Sequence, residues 1–254
     1  MQIRILGCSG GISGELRTTS LLVDDDILID AGTGVGDLTL AEMAGIRHIF
    51  VTHSHLDHIA GIPLMVDSIF SQIVEPVVIH ASAATIAALR DHIFNWTIWP
   101  DFTVLPTAKS GVLRYQIMEP GSVCTLGNRQ IRMVPVFHIV PGVGYCIESA
   151  GRVLAFTGDT TTNDTFWAAL NQYANIDVLI AECAFANQEH ELCLKARHYC
   201  PGLLAADLAK LHHHPQVYLT HLKPGAEAQI ERECRELIQG LELRRLFGGD
   251  LIQL

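Results

Sequence analysis

The chain has 254 residues, which fits one large α/β domain or two small ones, and 49% of them are hydrophobic, enough for a sizeable core. Its 17 Lys and Arg against 27 Asp and Glu give a net charge of −10 with no basic run, which speaks against a large nucleic acid and for a small substrate. No apolar stretch reaches membrane-spanning length, the N-terminus alternates like a strand instead of a leader, and the seven scattered cysteines form no C-x-x-C pair; these features predict a cytoplasmic protein with reduced thiols and no membrane contact.

In chain order, "QIRIL", "SLLV" and "DILIDAG" predict strands, followed by a helix over about 34–44 and a buried strand in "IRHIFVTH". Residues 57–70 read as a helix with Ile59, Ile62, Met65, Val66 and Ile69 on one face, and Pro63 comes early enough to be tolerated. The strand "VVIH" precedes a helix opened by Ser82 as N-cap. Further strands are expected in "VLRYQIM", "IRMVPVFH", "YCIES", "RVLAFTGD", "DVLIAEC", "QVYLTH" and "LRRLF", with helices near 162–172, 201–211 and 226–239. No linker or composition break divides them, so residues 1–254 are expected to form a single domain with sheets between helical layers. The high apolar fraction adds the expectation of an oligomer, a homodimer being the simplest.

Four of these strands end in a metal-capable side chain: "VTHSH", "VPVFH", "AFTGD" and "YLTH". Strand ends in layered α/β folds collect functional groups on one rim. In "HSHLDH", His53 and His55 lie two apart and point to the same side of an extended segment, while Asp57 and His58 occupy the turn into the next helix. One divalent ion could take the first pair and another the second, with His138, Asp159 and His221 supplied by the other strand ends and Asp159 able to bridge. Imidazole and carboxylate without thiolate suit Zn²⁺, with Mn²⁺ or Fe as substitutes, and leave a coordination position for water. The competing reading, a polar loop of satisfied histidines, explains four such residues in six poorly.

These residues, "THSHLDH" with a later His, "GD" and "TH", resemble the metallo-β-lactamase superfamily over nearly the whole chain. That resemblance implies an αββα sandwich and a dinuclear site in which His53, His55 and His138 hold one ion, Asp57, His58 and His221 the other, and Asp159 bridges. "HSHLDHIAGIPLMVDSI" further resembles the signature of class II cyclic nucleotide phosphodiesterases, departing from it at Pro63 and Ile69; "IAECAF", "LTHLKP" and "FNWTIWPDF" also look like that group. The implied activity is hydrolysis of a 3′,5′-cyclic nucleotide to the 5′-monophosphate, with Asp57 essential. The tRNA 3′-end processing endonucleases have similar ligands and a His comparable to His198 of "ARHYC", but this chain lacks the basic, Gly-rich insertion that grips tRNA. A thioester or lactone hydrolase ranks third, and a metal-containing nucleotide or redox sensor is the non-enzyme alternative.

Three assignments stay open at this level. His198 is a candidate general acid or an ordinary surface histidine, and Glu182 orients it or faces solvent from a strand end. In "FNWTIWPDF", Asn95, Trp96 and Trp99 could wall a pocket for a base, or the aromatic residues could close a core. Asp30 of "DAG" reads as a structural turn, with support of the site from behind as the alternative; "GCSGGISG" reads as a turn needing glycine torsions, and Gly248–Asp250 as a hairpin turn. The run His212–His214, next to Pro215, fits a helix C-terminus better than a metal site.

Overall fold

The Val- and Ile-rich runs form strands, and a computed structural model describes all residues 1–254. The chain divides into two units: residues 1–7, 17–118 and 248–253 make the first, residues 8–16, 119–247 and 254 the second.

In the first unit, β1 (Gln2–Gly7), β2 (Ser20–Val23), β3 (Ile27–Ile29), β4 (His48–Phe50), β5 (Val77–Ala81), β6 (Leu113–Ile117) and β14 (Leu251–Gln253) form a sheet in the order β14-β1-β2-β3-β4-β5-β6. The β14, β1, β2 and β3 pairs are antiparallel, and β3 to β6 run parallel. Parallel strands covered on both faces need unbroken apolar runs, and Ile27, Leu28 and Ile29 are all fully buried. Helices α1 (Leu40–Gly45), α2 (Leu56–Ile59), α3 (Gly61–Ser68) and α4 (Ala83–Ala88) add Met43, Ile59, Ile62, Met65 and Ile86 to the core around Leu28, Ile49 and Ile79.

The helix expected over 57–70 is two helices. Pro63 has no N–H for the carbonyl of Ile59, so the first helix stops there and the proline falls in the opening turn of α3. The helix expected over 34–44 starts later, because Thr33–Asp37 takes a tighter 3-10 turn before the Thr39–Glu42 capping box opens α1.

In the second unit, β7 (Val123–Leu126), β8 (Arg129–Val136), β9 (Gly142–Ser149), β10 (Arg152–Phe156), β11 (Val178–Glu182), β12 (Gln216–Thr220) and β13 (Leu243–Arg245) form a sheet in the order β13-β12-β11-β10-β9-β8-β7. The pairs from β7 to β10 are antiparallel and those from β10 to β13 parallel. Helices α5 (Thr165–Leu170), α6 (His190–Ala196), α7 (Pro201–Leu208) and α8 (Glu227–Leu237) flank it, with Trp167, Leu204 and Ile230 joining Leu179 and Val217 in its core.

Gly248–Asp250 does not close a hairpin. Gly249 has the positive φ, 91°, that a glycine turn implies, but β13 pairs with β12 while β14 pairs with β1 through Gln2↔Gln253, so the segment passes the chain from one sheet to the other. No helix is long and apolar enough to cross a membrane.

Candidate active site

The "HSHLDH" segment lies in the first unit. Leaving β4, the chain reaches His53 fully buried, then His55 as the extended residue before α2, then Asp57 and His58 in the helix itself. The rings of His53 and His55 lie 4.6 Å apart, those of His53 and His58 4.2 Å apart, and Asp57 Oδ2 is 3.7 Å from His58 Nε2. Gly32 makes this packing possible, because a Cβ there would collide with the Asp57 carbonyl and the Thr18 hydroxyl.

Asp30, buried and left-handed at φ 55°, sits behind these residues. It accepts from the Thr52 N–H at 2.7 Å, the Thr52 hydroxyl at 2.8 Å and His58 Nδ1 at 2.7 Å. Burial raises its carboxyl above the ordinary value, and the three donors oppose that shift. The turn reading of "DAG" is therefore incomplete: Asp30 orients His58, and Thr52 joins the same network.

The hydrogen bonds also assign the imidazole protons. Asp30 fixes the proton of His58 on Nδ1; the Thr52 hydroxyl, already donating to Asp30, accepts from His53 Nδ1 at 3.0 Å; and the Arg197 carbonyl accepts from His138 Nδ1 at 2.9 Å. In all three rings Nε2 becomes the nitrogen with the lone pair, the arrangement in which protein imidazoles bind metal ions. The donor set thus fits divalent cations.

Three further candidate ligands lie in the second unit. His138 follows β8, Asp159 follows β10, His221 follows β12, and all three are buried. His221 Nε2 is 3.2 Å from Asp159 Oδ2, and His221 is left-handed at φ 62° with its N–H on the Cys8 carbonyl at 2.7 Å. Gly10 belongs to the same contact, since a Cβ there would meet the His221 carbonyl; close approach as well as torsion explains the glycines of "GCSGGISG".

Between these ligands lies the His198–Glu182 pair. Glu182 ends β11 with no exposure and accepts from His198 Nδ1 at 2.9 Å, the Thr160 N–H at 3.0 Å and the Ala184 N–H at 3.0 Å. Neither a solvent-facing carboxylate nor a surface histidine describes them, because His198 is only 7% exposed. Its ring is stacked on His221 at 5.3 Å and edge-on to His138 at 4.9 Å. Burial disfavours the charged imidazole, and the Glu182 carboxylate more than offsets it, holding His198 above its ordinary value.

The aromatic segment divides. Phe94 and Phe102 lie in the first unit's core with Trp99 packed against it, the Asn95 side chain accepts from Thr97 N–H and Ile98 N–H to brace its own loop, and Trp96 is 63% exposed.

Comparison with known proteins bears on the family and the fold. Residues 25–222 match the family described as "Beta-lactamase superfamily domain". A Yersinia pestis protein named "Probable 3′,5′-cyclic-nucleotide phosphodiesterase" is 26% identical over 99% of this chain and 83% of its own length. A Ribonuclease Z of Haloarcula marismortui is 23% identical over 99% of this chain and 94% of its own. The crystal structure of unliganded yeast PDE1 superposes with a TM-score of 0.85 at 20% identity, covering 100% of this chain and 99% of that one. The fold is that of the metallo-β-lactamase hydrolases, with His and Asp groups able to take divalent ions. The chain belongs to the beta-lactamase superfamily domain family.

Proposed function

We propose that the protein is a dinuclear metal-dependent phosphodiesterase acting on 3′,5′-cyclic nucleotides. In this reading His53, His55 and His138 hold one ion, Asp57, His58 and His221 the other, and Asp159 is shared; ligand groups of that composition support the assignment. When bound, the two ions, Zn²⁺ by ligand type, supply charge neutralisation for the anionic phosphate and activation of a water.

The observation that carries the reading is the buried His198–Glu182 pair beside His138 and His221. A diester needs a proton for its departing alkoxide, and an imidazole whose Nδ1 is held by a buried carboxylate is oriented to donate from Nε2. Glu182 fixes the ring so that Nε2 delivers that proton to the 3′-oxygen, leaving the 5′-monophosphate. The net charge of −10 favours a small substrate, and the similarity to named cyclic-nucleotide phosphodiesterases supports the same class. Trp96, largely exposed, is the residue of 94–102 with ring surface available to stack on a base.

The relatives named Ribonuclease Z support a second reading, cleavage of precursor tRNA. The test is turnover by zinc-loaded protein of 3′,5′-cyclic AMP, an artificial bis-aryl phosphodiester and precursor tRNA, side by side. Formation of 5′-AMP supports the proposal. Cleavage of precursor tRNA without cyclic AMP turnover replaces it with the second reading, and turnover of none of the three moves the chain to esters, lactones or a sensing role.

A further inference from the structure

Arg197 caps α6 at φ 55° and ψ 53°, a left-handed conformation that glycine adopts freely and other residues resist. Its N–H meets the Cys193 and Leu194 carbonyls, as a helix cap requires. Capping alone calls for no side chain at this position. Yet the guanidinium donates from Nη1 to the His138 carbonyl at 2.8 Å and lies 4.3 Å above the Phe137 ring. In the opposite direction, His138 Nδ1 donates to the Arg197 carbonyl at 2.9 Å. Two antiparallel hydrogen bonds thus join residue 138 to residue 197, and the next residue along the chain is His198, whose ring stands 4.9 Å from that of His138.

Backbone resistance to a left-handed arginine persists only where surrounding contacts hold it. The contacts here tie a proposed metal ligand to the loop carrying the proposed proton donor: the His138 ring to the Arg197 carbonyl, and the guanidinium to the His138 carbonyl. We propose that Arg197 is a positioning residue whose guanidinium clamps His138 in its ligand orientation and thereby fixes the spacing between His138 and His198. The metal-binding half of this inference rests on the reading given under Proposed function. The clamp itself does not, since every contact in it lies within the protein.

Arg197→Gly is the discriminating variant. It keeps the left-handed cap and the carbonyl acceptor and removes the side chain with its bond to the His138 carbonyl and its contact with Phe137, while relief of the backbone offsets part of that loss, so its melting temperature should stay close to that of the wild type. In the metal-free protein, long-range ¹⁵N–¹H spectra of the imidazoles should show His138 as a single Nδ1–H tautomer in the wild type; in R197G, with the His138 main chain no longer held by the guanidinium, the ring should leave the residue 197 carbonyl part of the time and show a mixture. Zinc affinity, measured by competition with a chromophoric chelator, should fall about tenfold or more, the usual effect of losing a group that orients a ligand. Arg197→Lys, which keeps a donor within reach of the His138 carbonyl, should recover most of both signals and so separates the lost bond from a general loss of fold. A single His138 tautomer together with wild-type zinc affinity in R197G overturns the inference. Wild-type protein that binds no zinc sinks the metal reading instead, and the tautomer spectra then decide the clamp alone.

Discussion

Replacing Asp30 with Asn isolates a single charge. Asparagine has nearly the same shape and tolerates the left-handed backbone of residue 30 as well as aspartate does, so the main chain gives no reason for a change. Three donors converge on the carboxylate: Thr52 N–H on Oδ1, and the Thr52 hydroxyl and His58 Nδ1 on Oδ2. An amide has one accepting oxygen. With that oxygen kept on the Thr52 N–H, its NH₂ faces the other two groups and forces His58 to accept at Nδ1, which moves the ring proton to Nε2 and blocks the nitrogen proposed to bind metal. Hydrogen bonds to charged groups contribute about 1.5–3 kcal/mol each, but the neutral amide forms weaker bonds of its own and sheds the desolvation cost that raises the Asp30 carboxyl, so the net loss of stability should be only about 1–2 kcal/mol. Metal affinity should fall about 10- to 100-fold. Urea unfolding of the metal-free variant at neutral pH gives the first quantity, and zinc competition the second. Stability within about 0.5 kcal/mol of the wild type, with unchanged zinc affinity, would refute the role assigned to Asp30.

Other consequences are equally specific. Asp57→Ala should reduce diester hydrolysis by roughly 100-fold or more while leaving the fold intact, since Asp57 is partly exposed at the start of α2; unchanged turnover contradicts the two-ion reading. Gly32→Ala should cost about 2–3 kcal/mol, because its Cβ has no space beside the Asp57 carbonyl, and calorimetry showing an unshifted melting temperature would remove that explanation. Burial and the neighbouring His48 hold His80 down at about 4, against an ordinary value of 6.5. The folded protein keeps this ring neutral while the unfolded chain takes up a proton. Stability from this group is therefore complete above about 6.5 and declines as pH falls toward about 4, by about 1 kcal/mol between about pH 7 and 5.5. His80→Leu should flatten the stability–pH curve in that window, and an unaltered slope would speak against it.

The candidate ligands were legible because each follows an apolar run whose strand is set by local pattern: His53 after β4, His138 after β8, Asp159 after β10, His221 after β12. Asp30 was read as a turn because "DAG" looks the same locally whether or not a partner strand lies beside it; the parallel pairing of β3 with β4 brings Thr52 to its carboxylate. Arg197 was missed for a similar reason, since α6 is short and nothing in "ARHYC" announces a left-handed arginine facing residue 138. Strand β7 escaped because it is a sheet edge with exposed and half-buried positions in alternation and no strong apolar run. The Gly248–Asp250 turn was placed correctly and given the wrong partner, as proximity in sequence favours a hairpin and only the completed sheet shows that the free edge of β1 takes β14.

The most direct measurement of the central claim is the number of divalent ions held per chain, read by native mass spectrometry after zinc loading and removal of excess metal. Two are expected per wild-type chain, and fewer in a His53→Ala variant that remains folded. A wild-type chain that retains at most one ion, or a variant that retains two, would contradict it.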